Sequence, residues 1–305
     1  MPAASPPLQL HPLKIWWLAA RPATLTAALA PLAVGGALAW RDHVADPLAW
    51  LAALVGALLI QLGTNFANDV FDYEKGADTA ERKGPLRVTQ AGLVTPAAVK
   101  RAMILAFGLA VLCGSYLVWR CGMPVVYIGL ASVAAGVLYT GGPWPLGYLG
   151  LGDVFVFAFF GVVAVVGTYF VQAATVSADA ILWSLPVGAS CTAILVVNNL
   201  RDAETDVLVG KRTLAVRWGA TAVRVEYFLM AAAAVGVPVG LAVRDRAWPL
   251  ALPVLALPAV VRSARTVWRH SDGPTLNGAL GSTARWHLLV GLLAALGLGL
   301  QRGLA

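Results

Sequence analysis

The sequence predicts an all-α membrane protein with several transmembrane helices, because its composition, its apolar segments and its charge distribution agree on this class. Of its 305 residues, 59% are hydrophobic and 12% are charged. A soluble globular domain usually has about 25% charged residues, so this composition excludes that class. We therefore expect a flexible, proline-rich tail over residues 1–12, followed by a single polytopic membrane domain over 13–305.

The apolar segments predict nine transmembrane helices around a central cavity. Each segment is roughly 17–25 residues long, the length that an α-helix needs to cross a bilayer. The predicted helices cover residues 16–40, 48–67, 99–119, 123–140, 151–172, 180–199, 224–243, 247–264 and 285–302. Three prolines, Pro22, Pro31 and Pro124, interrupt or crowd the first and fourth of them.

The loops that follow the even-numbered helices carry most of the polar residues. The second helix leads into the longest polar stretch, 68–98, and the sixth leads into 198–222. The fourth leads into a short turn over 140–147, and the eighth into a loop over 262–284. These loops share one face of the membrane, so that face carries nearly all the residues capable of chemistry.

The distribution of Lys and Arg predicts the orientation. With a cytoplasmic N-terminus, 17 of the 22 Lys and Arg residues fall on the cytoplasmic side, as the positive-inside rule requires. This topology accounts for the net charge of +7, and no nucleic-acid partner is expected. We expect a multi-pass protein of the inner (cytoplasmic) membrane with its active site on the cytoplasmic side. The pattern does not predict the oligomeric state.

Two acidic clusters follow the second and sixth predicted helices. The first contains Asn68, Asp69 and Asp72, with Asp78 beyond, and the second contains Asn198, Asn199, Asp202 and Asp206. If the helices continue through these motifs, the i, i+3 and i, i+4 spacings place the side chains on one helical face. The alternative is that these acids cap helix ends or lie in water.

Oxygen ligands of this kind select hard cations, and Mg²⁺ is commonly held by one or two carboxylates together with substrate phosphates. Two facing clusters can hold two Mg²⁺ ions around one diphosphate. The candidate metal ligands are Asn68, Asp69, Asp72, Asp78, Asp202 and Asp206. The three cysteines and four histidines are scattered, and no zinc motif is visible.

Basic residues accompany both clusters and can contact phosphate oxygens. The candidates are Arg21, Lys75, Arg82, Arg87, Lys211 and Arg217. The alternative is that they only reflect the positive-inside bias.

Tyr139 and Asp153 lie where the fourth helix ends and the fifth begins. Tyr139 can contact an aromatic acceptor or a cation, or it can belong to the interfacial aromatic belt.

At these residues the sequence resembles the UbiA superfamily of intramembrane aromatic prenyltransferases. The resemblance extends over most of the chain and includes Arg21-Pro22-x-Thr24-Leu25, Asn68-Asp69-x-x-Asp72, Tyr139, Gly150-Leu151-Gly152-Asp153, Asn198-Asn199-x-Arg201-Asp202-x3-Asp206 and Gly210-Lys211-x-Thr213. The runs 68–78 and 84–92 are similar to the MenA-type branch. A ubiquinone-type motif would have an Asp at position 76, where this chain has Gly76.

The resemblance implies Mg²⁺-dependent transfer of a polyprenyl group from polyprenyl diphosphate to 1,4-dihydroxy-2-naphthoate, with decarboxylation, to give demethylmenaquinone. It implies catalytic roles for Asn68, Asp69, Asp72, Asp202, Asp206 and Tyr139. It implies substrate contacts for Arg21, Lys75, Arg82, Arg87, Asp153, Asn198, Asn199, Lys211 and Arg217.

Three alternatives stay open from the sequence. One is a related prenyltransferase with another aromatic acceptor. A second is a cation-coupled transporter or channel, although transporters commonly place their sites near the membrane midplane. The third is a non-catalytic lipid-binding or assembly protein of the membrane.

Overall fold

The computed structural model describes residues 10–78 and 83–302, and within these ranges the chain is helical without a strand. We number the helices α1 Pro12–Ala20, α2 Pro22–Arg41, α3 Pro47–Glu74, α4 Pro96–Cys121, α5 Met123–Leu138, α6 Gly152–Ala173, α7 Ala178–Leu208, α8 Leu214–Arg244, α9 Trp248–Arg269 and α10 Gly273–Arg302. The middle of α6, Phe157–Val163, is a π-helix, and α9 begins with the 3-10 helix Trp248–Ala256. The all-α class is confirmed.

Within the described residues, eight helices are long and apolar enough to cross a membrane, namely all except α1 and α5. Helix α5 is apolar but has 16 residues. It therefore spans about 24 Å, less than the ~30 Å hydrocarbon core of a bilayer. Counted together with α5, these helices correspond to the nine predicted segments, and the fourth is shorter than expected.

The first predicted helix, 16–40, is divided in two at Arg21. This residue ends α1 and precedes α2 with φ 51°, in the left-handed region. The ring of Pro22 disfavours the α conformation for the residue before it, and Pro22 has no N–H to continue the helix. Treating this segment as one helix was wrong, and the break places the Arg21 side chain at the cavity wall.

The two helices that carry the acidic motifs are longer than predicted. Helix α3 continues to Glu74 instead of residue 67, and α7 continues to Leu208 instead of residue 199. Each ends just before a glycine with positive φ, Gly76 at 68° and Gly210 at 74°. Glycine adopts this conformation without a Cβ clash, so it ends the helix. The polar motif residues before it do not end the helix.

The helices pack around a central cavity of about 880 Å³. The most extensive pairs are α3 with α4, α2 with α10, and α7 with α8. Helices α6 and α7 meet at two glycines, where a Cβ added to Gly161 would lie 2.7 Å from the Cα of Gly188. This close approach fixes the position of α7, whose polar residues line one wall of the cavity.

Candidate active site

The central cavity has one polar end, where the C-terminal parts of α3 and α7 meet. Ten residues predicted for the site line it: Arg21, Asn68, Asp72, Arg87, Tyr139, Asn198, Asn199, Asp202, Asp206 and Lys211. Most of the remaining wall is apolar, with many small residues from α2 to α7. The two motifs, about 130 positions apart in sequence, therefore share one site.

Helical spacing explains which motif residues face the cavity. Asn68 and Asp72 are four residues apart on α3, and Asn198, Asp202 and Asp206 repeat the same interval on α7. Residues four apart lie on one helical face. Both helices continue through their motifs, so the condition for this one-face arrangement is met.

The carboxylate of Asp72 is buried and accepts contacts from several directions. Its Oδ1 accepts a hydrogen bond from the Tyr148 hydroxyl at 2.9 Å, and its Oδ2 accepts one from Arg87 Nη2 at 2.9 Å. The ammonium of Lys211 lies 3.5 Å from Oδ1. Asp72 is thus held in place by a hydroxyl group and two basic side chains that also line the cavity.

Arg87 is a buried cation with spare hydrogen-bonding capacity. Its Nε lies 3.4 Å from Asp78 Oδ2, and Nη2 contacts Asp72. Its buried Nη1 has no hydrogen-bond partner among residues 10–78 and 83–302. A buried guanidinium N–H without a partner is costly, so this group suits an anion bound in the cavity.

Asp69 faces away from the cavity and holds the following loop. Its carboxylate accepts hydrogen bonds from the backbone N–H groups of Val88, at 3.2 Å, and Thr89, at 3.0 Å. Arg21 lies 3.9 Å away. Because each residue advances about 100° around a helix, Asp69 points away from Asn68 even though it is adjacent in the motif. Its observed contacts organise the loop beside the site.

In the second cluster, a buried arginine orients Asp202 and Asn198. Arg201 Nε donates to Asp202 Oδ1 at 2.8 Å, and its Nη2 donates to Asp202 Oδ2 at 2.6 Å and to Asn198 Oδ1 at 2.8 Å. The side chain of Arg201 has no exposed surface. A bidentate guanidinium–carboxylate pair fixes both distance and plane, so Asp202 has one defined orientation.

Lys211 connects the two clusters across the cavity. Its ammonium lies 3.5 Å from Asp72 Oδ1 and 3.9 Å from Asp206 Oδ1. It also lies 4.8 Å from the centre of the Tyr148 ring. A single cation between carboxylates on α3 and α7 reduces the repulsion between them.

Lys75 and Arg217, which were predicted to contact phosphate, donate hydrogen bonds to the loop between α5 and α6. Lys75 Nζ donates to the carbonyl groups of Thr140, at 2.6 Å, and Gly142, at 3.0 Å. Arg217 donates to the carbonyl groups of Arg212 and Leu149, both at 2.9 Å. Neither residue lines the cavity, because the charged end of each side chain is hydrogen-bonded to these carbonyl groups.

Tyr139 lines the cavity, whereas Asp153 lies behind its wall. Burial raises the pKa of the Tyr139 phenol, and the carboxylates of Asp153, Asp72 and Asp206 raise it further, so the hydroxyl stays protonated. Asp153 is buried, with its Oδ2 3.5 Å from Asn199 Nδ2. Asn199 thus lies between Asp153 and the cavity.

The remaining predictions differ in outcome. Asp78 is buried against Arg87 and does not line the cavity. Arg82 lies outside the described residues. Tyr148 was not predicted from the sequence. Arg201 was recognised as part of the second motif, but no function was predicted for it. No spacing marks Tyr148, whereas Arg201, a charged residue next to Asp202 on an apolar helix, was a signal for a buried ion pair.

The donor set of the cavity fits a hard divalent cation that is shared with a ligand. In the described parts of the chain, no group of three or more His, Cys, Asp or Glu side chains is close enough to form a metal site by itself. The available donors are the carboxylate and amide oxygens of α3 and α7. Mg²⁺ is usually held in this way, by a few protein oxygens together with substrate phosphates and water.

Comparison with known proteins identifies the family. The profile of the UbiA prenyltransferase family matches residues 28–289. This chain belongs to the UbiA prenyltransferase family. It is 36% identical, over 94% of its length and 96% of the relative's, to 1,4-dihydroxy-2-naphthoate octaprenyltransferase of Haemophilus influenzae. It is 38% identical, over 96% of its length and 98% of the relative's, to the Escherichia coli protein with the same name.

The fold of this UbiA family member is also that of solved relatives. A UbiA homolog from Archaeoglobus fulgidus bound to GPP and Mg²⁺ superposes with a TM-score of 0.63 at 13% identity. The superposition covers 92% of this chain and 99% of that one. The helical bundle around a cavity that the sequence predicts is therefore the fold of this prenyltransferase family.

Proposed function

We propose that this chain transfers a polyprenyl group from polyprenyl diphosphate to 1,4-dihydroxy-2-naphthoate with loss of CO₂. The product is the hydroquinone form of demethylmenaquinone. The observation that carries this proposal is a single cavity with carboxylates and a partly unpaired buried arginine at one end and a long apolar wall beyond. The names of the relatives from Haemophilus influenzae and Escherichia coli support this acceptor.

The two ends of the donor match the two ends of the cavity. The diphosphate fits beside Arg87, Lys211 and Arg21, because each carries N–H groups at the polar end. The prenyl tail fits along the small and branched apolar residues of α3, α4 and α5, such as Gly114 and Val125. The bundle then keeps water away from the reacting carbon.

The residues suited to hold Mg²⁺ are Asn68, Asp72, Asp202 and Asp206, and we propose two ions. Bound there, Mg²⁺ neutralises the charge that grows on the diphosphate as its carbon–oxygen bond breaks. The contacts of Asp69 and Asp78 support a different role for these two residues. We propose that they hold the loop that presents Arg87 to the cavity.

The cations of the site then change partners. Arg87 forms an ion pair with Asp72, and Lys211 lies near both Asp72 and Asp206. When a diphosphate enters, its oxygens give these cations new acceptors, and the carboxylates are released for the metal. Bidentate arginine–phosphate contacts make this exchange favourable for Arg87.

The acceptor ring attacks the allylic carbon as the diphosphate leaves with the electron pair of the carbon–oxygen bond. A carbon–carbon bond forms, and loss of the ring carboxylate as CO₂ returns its electron pair to the ring and restores aromaticity. The protonated hydroxyl groups of Tyr139 and Tyr148 are hydrogen-bond donors beside this position, and their rings can stabilise the cation.

We also propose that the chain lies in the cytoplasmic membrane with its N-terminus and cavity opening on the cytoplasmic side. The excess of Lys and Arg on that side supports this orientation. Labelling of single cysteines introduced at exposed loop positions, from each side of intact cells, tests it. Labelling of loop 270–272 only from outside would contradict the proposal.

The test of function is an assay of the purified protein with Mg²⁺, a polyprenyl diphosphate and a panel of aromatic acids, read by mass spectrometry. We expect a prenylated product that lacks CO₂, formed from dihydroxynaphthoate alone. Prenylation of another acid instead would assign another acceptor and contradict the proposed substrate. Absence of diphosphate release with every acceptor, from folded protein, would contradict the enzyme assignment.

A further inference from the structure

One side chain outside both motifs links the second acidic cluster to the loop that follows the first. Asn277, in the second turn of α10, accepts a hydrogen bond from Arg201 Nη1 at 2.8 Å through its Oδ1. Its Nδ2 donates to the backbone carbonyl of Lys83 at 2.8 Å. Arg201 in turn holds Asp202 and Asn198. A continuous series of hydrogen bonds therefore runs from Lys83 to Asp202.

The same loop is attached to the first cluster a few residues later. Arg87 contacts Asp72, and the N–H groups of Val88 and Thr89 donate to Asp69. Residues 83–89 thus bridge the two acidic clusters, with one attachment at each end. A change in the position of this segment changes the contacts of both clusters together.

The contact at Lys83 is closely packed, which makes it specific. The Lys83 ammonium lies 2.5 Å from Glu204 of α7. A Cβ added to Gly273, at the start of α10, would lie 3.2 Å from the Cβ of Lys83. Lys83 is therefore held between α7 and α10, and its carbonyl has a defined direction toward Asn277.

The chemistry of this bridge suits an amide side chain, which has an acceptor and a donor on separate atoms. Arg201 offers only donors and the Lys83 carbonyl only accepts, so the residue between them must accept and donate at once. Aspartate keeps the contact to Arg201 but presents an acceptor to the Lys83 carbonyl. Alanine removes both contacts and leaves a donor of the fully buried Arg201 without a partner, which is costly.

We propose that Asn277 is a positioning residue that makes the orientation of Asp202 depend on the seating of segment 83–89. The binding site for the prenyl diphosphate is then complete only when segment 83–89 is attached to both clusters, with Arg87 in the cavity wall. The inference rests on the proposed function for its kinetic consequence, and on the hydrogen-bond series alone for its structural one.

The first test is hydrogen exchange of the protein without metal or substrate. We expect Asn277→Ala and Asn277→Asp to accelerate exchange at the Val88 and Thr89 amides by about tenfold, because the segment loses one of its attachments. Arg285→Ala, an exposed change on the same helix, is the control and should leave this exchange unchanged. If both Asn277 variants match the wild type, the proposal is wrong, whatever reaction the protein catalyses.

The second test is kinetic and separates positioning from general damage. In the two Asn277 variants we expect the KM for the polyprenyl diphosphate to rise about tenfold, and the KM for the aromatic acceptor to stay unchanged. Asn277→Asp retains the Arg201 contact, so it serves if Asn277→Ala does not fold. Accelerated exchange with both KM values unchanged would overturn the link to the donor site. A wild-type protein without prenyl transfer would instead contradict the proposed function and leave the exchange result standing.

Discussion

The hydroxyl group of Tyr148 reaches Asp72 from a turn that carries no recognisable motif. Two ammonium groups also lie over its ring, with Lys75 at 5.1 Å and Lys211 at 4.8 Å from its centre. Burial and the Asp72 carboxylate raise the pKa of its phenol, so the hydroxyl remains a donor at physiological pH. This residue therefore orients the carboxylate that we assign to the metal.

Tyr148→Phe tests this role, because it removes the hydroxyl group and keeps the ring. We expect kcat/KM for the polyprenyl diphosphate to fall about tenfold, the loss associated with one hydrogen bond to a charged group. The reduction should be constant between about pH 6 and 9, since the phenol does not ionise in this range. Tyr127→Phe, an exposed tyrosine of α5, is the control.

A steady-state pH series on both proteins provides the measurement. If the wild-type advantage over Tyr148→Phe disappears as the pH rises toward 9, the phenol ionises in that range and our account of its environment is wrong.

Asp69 and Asp72 belong to one motif but have different contacts, and two substitutions separate them. Asp72→Asn should raise the Mg²⁺ concentration for half-maximal activity at least about tenfold, because it removes a charged ligand. Asp69→Asn should leave this concentration unchanged and lower the stability by about 1–3 kcal/mol, because it weakens the contacts to Val88 and Thr89. Mg²⁺ titrations of activity and thermal unfolding in detergent measure the two effects. A raised Mg²⁺ requirement in Asp69→Asn would assign Asp69 to the metal after all.

Among the helices, the contact of α6 with α7 depends on the absence of a side chain. A Cβ at Gly161 would lie 2.9 Å from the Ser184 carbonyl oxygen as well as close to Gly188, and both contacts are to backbone atoms that cannot rotate away. Gly161→Ala should therefore lower the free energy of unfolding by about 1–3 kcal/mol. Gly167→Ala, in the same helix, meets no atom within 4 Å and should be neutral or slightly stabilising. Unfolding temperatures in detergent compare the two. Equal values would mean that α6 and α7 are not in close contact.

The sequence predicted the membrane helices well because bilayer thickness determines the length of an apolar segment. It predicted their ends poorly where polar residues continue a helix. In α3 and α7 the motif residues face the cavity or other side chains, so their polarity did not end the helix. The positive-φ glycines Gly76 and Gly210 gave the true stop signals. The break at Arg21 was also encoded locally, in Pro22.

The site was predictable where helical periodicity decides orientation, as for Asn68, Asp72, Asp202 and Asp206. It was not predictable where the tertiary fold supplies the partner. The contacts of Lys75 and Arg217 depend on carbonyl groups of the turn between α5 and α6. The contact of Asn277 depends on a loop 194 positions away in sequence.

For the molecule as a whole, the shape of the cavity predicts how it accepts the donor. Gly114 of α4 lines the apolar part of the cavity, and a Cβ there meets no atom within 4 Å. Gly114→Leu should therefore fold but fill part of the space that we assign to the tail. We expect a KM increase of at least about fivefold for a long polyprenyl diphosphate and little change for geranyl diphosphate. Gly108→Leu, on the same helix and outside the cavity lining, is the control. Equal changes for both donors would place the tail elsewhere.

The proposed function requires both acidic clusters to act on one diphosphate. The direct measurement is calorimetric binding of a polyprenyl diphosphate in the presence of Mg²⁺, with the wild type, Asp72→Asn and Asp202→Asn. We predict that each substitution, one on α3 and one on α7, weakens Mg²⁺-dependent binding by at least about tenfold. Unchanged binding in either variant would mean that its cluster does not hold the donor, and would contradict a single shared site.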